Sequence, residues 1–102
     1  MIHILVTLDV LNFDALEEFE QRAVIIMKKF GGRMVTAFET LRDVNGAGHE
    51  IHLLEFPDEA AFTKYRSDPD LLGLAALRER AIMHTEVQVS STLKTYGESN
   101  GQ

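Results

Sequence analysis

Residues 2–10 alternate strictly, with Ile2, Ile4, Val6, Leu8 and Val10 on one side and His3, Leu5, Thr7 and Asp9 on the other. A period of two over this length is the pattern of a strand with one apolar face, and such a strand needs both a sheet to pair with and a layer to cover it. The period then changes. From Phe13 onward, Leu16, Phe19, Ala23, Ile26, Met27 and Phe30 recur at steps of three and four, with Asp14, Glu17, Glu18, Gln21, Arg22, Lys28 and Lys29 between them. This predicts an amphipathic helix capped by Asn12, acidic at its start, basic at its end, and stopped by Gly31-Gly32.

The rest of the chain repeats the theme. Arg33–Leu41 and Ile51–Phe56 predict two strands joined by the turn-forming stretch Asp43-Val44-Asn45-Gly46-Ala47-Gly48. Pro57 and Asp58 open a second helix with Ala61, Phe62 and Tyr65 on its buried side. Ser67-Asp68-Pro69-Asp70 breaks it, and a reoriented helical piece carrying Leu71, Leu74, Ala75, Leu77 and Ile82 is expected to follow, capped by Asp68 with Pro69 in its first turn. His84–Leu93 alternates again as a fourth strand, and the small, polar residues 97–102 are expected to form a flexible tail. The order β-α-β-β-α-β is that of a ferredoxin-like α+β sandwich: a four-stranded antiparallel sheet of order 4-1-3-2 with its helices on one face. With 102 residues in the chain, one domain over residues 1–96 accounts for all of it.

Composition narrows the partners. Ten Lys and Arg against sixteen Asp and Glu give a net charge of −6, which argues against nucleic acid and anionic membrane surfaces. No cysteine is present, so disulfides, thiolate catalysis and cysteine-based metal centres are excluded. Apolar runs are too short to span a bilayer, and a cytoplasmic location is expected. Helices on one side leave the other side of the sheet, roughly 300 Å² of pleated surface by strand geometry, without a cover from the chain itself. A second copy packed face to face about a two-fold axis would supply one, so a homodimer through the helix-free face is the expected assembly.

The stop Gly31-Gly32-Arg33, the passage Leu54-Glu55-Phe56-Pro57-Asp58-Glu59-Ala60-Ala61, the break Tyr65-Arg66-Ser67-Asp68-Pro69 and the pair Leu77-Arg78 occur in an order and spacing that resembles an uncharacterised bacterial family of about a hundred residues. That domain of unknown function falls within the dimeric α/β-barrel superfamily and is related to antibiotic-biosynthesis-monooxygenase-like domains. The likeness covers residues 2 to about 93. It implies a ferredoxin-like protomer whose dimer encloses a barrel-like interior, and a superfamily that includes cofactor-free monooxygenases, haem-degrading enzymes, lactone isomerases and stress-response proteins. It carries over no catalytic residue. The chain departs from that family after Arg33, where Met34-Val35-Thr36 stands in place of a further arginine followed by glycines.

Four histidines are the first candidates for chemistry. His49 and His52 are three apart on a strand and so point to opposite faces, which prevents them from chelating one ion together; no metal is expected. His84 marks a helix-to-strand boundary. His3 lies on the less apolar face of the first strand, whose start runs beside the end of the third. If Ile51, Leu53 and Glu55 point away from the helices, His3 and Glu55 are cross-strand neighbours. An imidazole oriented in this way suits general-base chemistry, and Thr7, Asp9 and Gln88 would line the same space. Arg78 and Tyr65 are further candidates for holding an anionic or aromatic ligand. Each has a plainer reading: His3 and Glu55 as a rim ion pair, and Arg78 as part of the solvated run Arg78-Glu79-Arg80.

Two functions follow. One is a small-molecule-binding or enzyme-like homodimer, needing no cofactor, that abstracts a proton from or oxygenates a small organic compound inside the barrel. The alternative is a non-catalytic structural, metabolite-binding or stress-related homodimer. A closed cavity of roughly 300 Å³ or more between the two packed sheets, the size that small-molecule sites take, separates them.

Overall fold

The computed structural model describes residues 1–97. In chain order its elements are β1 (Ile2–Val10), α1 (Phe13–Lys28), β2 (Arg33–Arg42), β3 (Gly48–Phe56), α2 (Glu59–Arg66), α3 (Pro69–Leu72), α4 (Ala75–Ala81) and β4 (Ile82–Ser90). The four strands form one sheet of order β2-β3-β1-β4 with every neighbouring pair antiparallel, which is the expected 4-1-3-2 arrangement seen from its other edge. Residues 98–102, most of the expected tail, lie outside the described residues.

The local signals act as their chemistry requires. Asn12 Oδ1 accepts from the Ala15 amide at 2.9 Å, and Asp58 Oδ1 from the Ala61 amide at 2.8 Å, so α1 and α2 each begin on a side-chain cap. Asp68 caps α3 with Pro69 at its first position. At the end of α1 the Gly32 amide donates to Met27 C=O and the Gly31 amide to Lys28 C=O, both at 3.1 Å, while Gly31 takes φ +73°. This is the six-to-one and five-to-two bonding of a Schellman stop.

Several boundaries differ from the sequence expectation: β4 ends at Ser90 rather than Leu93 and β2 runs one residue further, to Arg42, and three other differences have a visible reason. The helical piece after Pro69 is two short helices, because after the last i→i−4 bond, Gly73 amide to Pro69 C=O at 2.9 Å, the Leu74 amide turns to Leu71 C=O at 3.0 Å and the Leu74 backbone leaves helical angles at φ −92°, ψ 11°. β4 begins at Ile82 rather than His84, since Ala81 C=O accepts from the Leu11 amide at 2.8 Å and Ile82 pairs with Val10 across a bulge. β3 begins at Gly48 because Asp43 Oδ1 accepts from the amides of Asn45 and Ala47, at 2.8 and 3.1 Å, and tightens the hairpin.

All the helices cover one face. Ile2, Ile4, Val6, Leu8 and Val10 are buried against Phe13, Leu16, Phe19, Ala23, Ile26 and Met27, and Phe56 sits with its ring 5.2 Å from that of Phe62 and 5.3 Å from that of Tyr65. Among the described residues no helix is long and apolar enough to cross a membrane. Gly32 packs so closely that a Cβ there would overlap the fully buried Phe56 ring, whereas a Cβ on Gly46, at φ +82°, would meet nothing. Gly32→Ala is therefore expected to lose about 3 kcal/mol to overpacking in a rigid core, and Gly46→Ala only ~1 kcal/mol from its left-handed backbone. Urea unfolding of both variants checks the ranking, and equal losses would contradict it.

Candidate active site

The alternation of β3 decides which chemistry faces which side. His49, Ile51, Leu53 and Glu55 point to the helix-free face, and Glu50, His52, Leu54 and Phe56 point under the helices. His52 is thereby only 2% exposed. Burying an imidazole without partners is costly, and two carboxylates meet this one. Glu50 Oε1 lies 2.6 Å from Nε2, and Glu20 Oε2 lies 3.8 Å from Nδ1. Glu20 comes from the buried stripe of α1, four residues after Leu16 and three before Ala23. Burial pushes its carboxyl above the ordinary range; His52 and Arg78 pull it back in part, and Glu50 adds to the rise.

Glu20 and His52 form part of the wall of a cleft of about 510 Å³ between the sheet and the helices. Its body is apolar, built from Phe19, Met27, Leu54, Phe62, Leu71 and Val87, and its polar groups are Glu20, His52, Tyr65, Arg66, Arg78 and Thr85. Arg78 Nη2 donates to Thr85 Oγ1 at 2.9 Å, which fixes the guanidinium at the mouth. Burial and the neighbouring Glu20 push the Tyr65 hydroxyl up, against the pull of Arg78, so it remains protonated and able to donate a hydrogen bond. A volume in the range of ligand pockets, with an apolar body and a few convergent polar groups, is what a small-molecule site needs. A smaller cleft of about 210 Å³ lies between α1 and β2, and Glu20 and His52 line that one too.

The helix-free face carries four rows of side chains: Arg33-Glu55-His3-Ser90, Thr36-Leu53-Leu5-Gln88, Phe38-Ile51-Thr7-Glu86 and Leu41-His49-Asp9-His84. His3 and Glu55 are cross-strand neighbours, with Nδ1 3.5 Å from Oε2. Arg33, which sequence reasoning did not join to them, reaches the same carboxylate at 3.0 and 3.1 Å. Asp9 pairs with His49 at 2.9 Å. Thr7 stands opposite Ile51 and Glu86, and Gln88 stands opposite Leu5.

The sequence-predicted residues thus fall into two groups that the sheet keeps apart. His3, Glu55, Thr7, Asp9 and Gln88 lie on one face; Tyr65 and Arg78 line the cleft on the other. Sequence reasoning passed over Glu20 and weighed His52 only as a metal partner of His49, although both carried a further signal: a glutamate inside an apolar helical stripe, and a histidine sharing strand parity with Leu54 and Phe56. Among the described residues no group of three or more His, Asp or Glu is arranged to hold a metal ion.

A four-stranded antiparallel sheet roofed on one side, with a cleft under the roof, defines a ferredoxin-like α+β domain. Within that class the chain belongs to the family described as "Domain of unknown function (DUF1330)", which matches residues 2–92. No curated protein matches the chain. Among solved structures it is similar to a protein of unknown function from Rhodopseudomonas palustris, with TM-score 0.73 and 18% identity over 91% of this chain and 82% of that one. It is similar also to SnoaB, a cofactor-independent oxygenase from Streptomyces nogalater, with TM-score 0.65 and 17% identity over 92% and 94%. An uncharacterised NIPSNAP domain protein from Burkholderia xenovorans gives TM-score 0.67 at 12% identity over 91% and 95%. At these identities the likeness is one of fold.

The raised carboxyl of Glu20 has a consequence for stability. The unfolded chain releases this proton near the ordinary value of 4.5, while the folded chain holds it to higher pH, so the fold loses stability as pH climbs past that point. Glu20→Gln removes the loss. Its melting temperature is expected to exceed that of the parent protein at pH 7, with the difference closing as pH falls below 4.5. Melting curves across that range check the sign, and a variant less stable at pH 7 would contradict it.

Proposed function

We propose that this protein binds a small, largely apolar organic molecule in the helix-side cleft and removes a proton from it, with Glu20 as the base. The observation that carries this reading is a raised carboxylate in the wall of a largely apolar cleft that also holds the donors Tyr65 and Arg78. A base whose pKa has moved toward neutrality removes protons better at neutral pH, typically by about 10²–10⁴-fold over the uncatalysed rate. Removal of a proton from a phenol or from a carbon beside a carbonyl leaves negative charge on oxygen. The Tyr65 hydroxyl and the Arg78 guanidinium are placed to receive such an oxygen. An electron-rich anion of this kind can pass one electron to dioxygen, and the resulting radical pair can join to form a C–O bond with dioxygen as the oxidant, so the reading extends to the cofactor-independent oxygenation for which SnoaB is described.

The test is deuterium uptake in heavy water from a panel of phenols and enolisable ketones, followed by NMR. Accelerated exchange in at least one compound is expected, falling by about 10²-fold or more in Glu20→Gln. Binding without accelerated exchange would favour a metabolite-binding role, and exchange unaffected by the substitution would remove Glu20 from the chemistry.

His3, Glu55, Thr7, Asp9 and Gln88 belong, in the same proposal, to a contact between two copies of the chain. Leu53 and Phe38 are 36% and 48% exposed on the helix-free face, and with Leu5 and Ile51 they form an apolar half beside the polar half from β1 and β4. Contiguous exposed apolar surface of this kind marks association. Light scattering is expected to give twice the chain mass of 11.5 kDa, or 23 kDa, and Leu53→Glu is expected to give one chain mass while remaining folded. A single-chain mass for the unaltered protein would end this part of the proposal.

A further inference from the structure

Arg66 and Arg78 both line the large cleft, and they are not alike. Arg78 gives a donor to Thr85 at 2.9 Å and acts on the Glu20 carboxyl. Arg66 is exposed at the rim, as is Leu72 beside it in the cleft wall. Among the described residues the arginines in ion pairs are Arg22, Arg33 and Arg42, each with a glutamate of its own, and no side chain accepts a hydrogen bond from Arg66. The acidic residues next to it in the chain, Asp68 and Asp70, are both held by Lys29, at 3.1 and 3.0 Å. The positive charge of Arg66 is thus left unpaired at the mouth of an apolar cleft.

Its helix turns it that way. Phe62, Tyr65 and Arg66 stand at i, i+3 and i+4 along α2, which puts them on one face, and all three line the cleft. The guanidinium lies over the Phe62 ring, 5.3 Å from its centroid. Contact of this kind holds a guanidinium by its flat face and leaves the N–H donors at its edge open.

We propose that the cleft takes an apolar monocarboxylate, with the carboxylate received by Arg66 at the mouth and the apolar body lying among Phe19, Met27, Leu54 and Val87. This rests on the reading of the cleft as a small-molecule site with Glu20 as its base, and it adds the class of molecule. The planar fork of an arginine matches a carboxylate with two parallel hydrogen bonds, which a neutral group does not provide. A carboxylate at the exposed rim also keeps part of its hydration, so the ligand's charge does not have to enter the apolar body. The chain as a whole carries −6 and repels anions at a distance, so an anionic ligand needs a local cation such as this one. Arg78, already committed to Thr85, stays with Tyr65 for the reacting oxygen.

The experiment is calorimetric titration of the full chain with para-hydroxyphenylacetate, para-hydroxyphenylpropionate and para-hydroxyphenylbutyrate, each beside its amide. At least one carboxylate is expected to bind about tenfold or more tighter than its amide. Arg66→Gln is expected to abolish that preference while leaving the affinity for the amide as it was. Arg80→Gln, which removes the same charge from an exposed arginine outside the cleft wall, is expected to keep the preference. The proposal is overturned if no member of the series binds, if amides bind as tightly as carboxylates, or if Arg66→Gln and Arg80→Gln act alike. Equal binding of amides leaves the reading of Glu20 as a base intact, whereas a bound carboxylate that takes up no deuterium removes that reading and leaves the assignment of Arg66 standing.

Discussion

An imidazole buried beneath a helix has to be satisfied, and satisfying His52 draws two further ionisable groups under the same roof. Glu50 arrives on the same strand two residues away, and Glu20 arrives from a helix stripe that is otherwise Phe, Leu, Ala, Ile and Met. Among the described residues no fully buried side-chain nitrogen or oxygen lacks a partner; His52 bonds to Glu50 at 2.6 Å and has Glu20 within 3.8 Å as a charge neighbour. The cost falls on Glu20, whose charged form is disfavoured by burial. A carboxylate held in that state is poorly placed for stability and well placed for proton transfer, a familiar exchange at functional sites.

The sheet divides its polar groups between its faces. Under the helices lie the cleft with Glu20, His52, Tyr65 and Arg78; on the other face lie paired charges at the two ends of the strands, with apolar side chains of β2 and β3 between them. Every side chain on β3 is committed to one face by parity alone, because a shift by one residue would exchange His52 for Leu53 and reverse both faces. The hairpin that leads into β3 fixes that register through Asp43, and its Gly46 carbonyl accepts from the Phe13 amide at 3.0 Å, tying the turn to the start of α1.

Much of the fold could be read from residue order. The alternation from Ile2 to Val10 and the stripe from Phe13 to Met27 are long enough for one period to dominate, and the caps at Asn12, Asp58 and Asp68 are short-range hydrogen bonds that need no tertiary context. The start of β4 could not be read this way, because it is set by Leu11 bonding to Ala81, seventy residues along the chain. The contact between His3 and Glu55 followed from topology and parity together. The cleft did not, since its volume depends on how α2, α3 and α4 stand off from the sheet, and no spacing in the sequence encodes that distance. Tyr65 and Arg78 were legible as candidates, one on the buried side of a helix and the other in a charged run, but that they line one cleft with Glu20 and His52 was not.

A direct titration of the Glu20 carboxyl bears most directly on the account, because the reading of Glu20 as the base turns on its burial. Carbon-13 NMR of the glutamate side chains, with Glu20→Gln used to assign the resonance, measures it without any ligand. The account predicts a midpoint above the ordinary carboxyl value of 4.5. A midpoint at or below that value would mean an ordinary, solvated carboxylate and would contradict it.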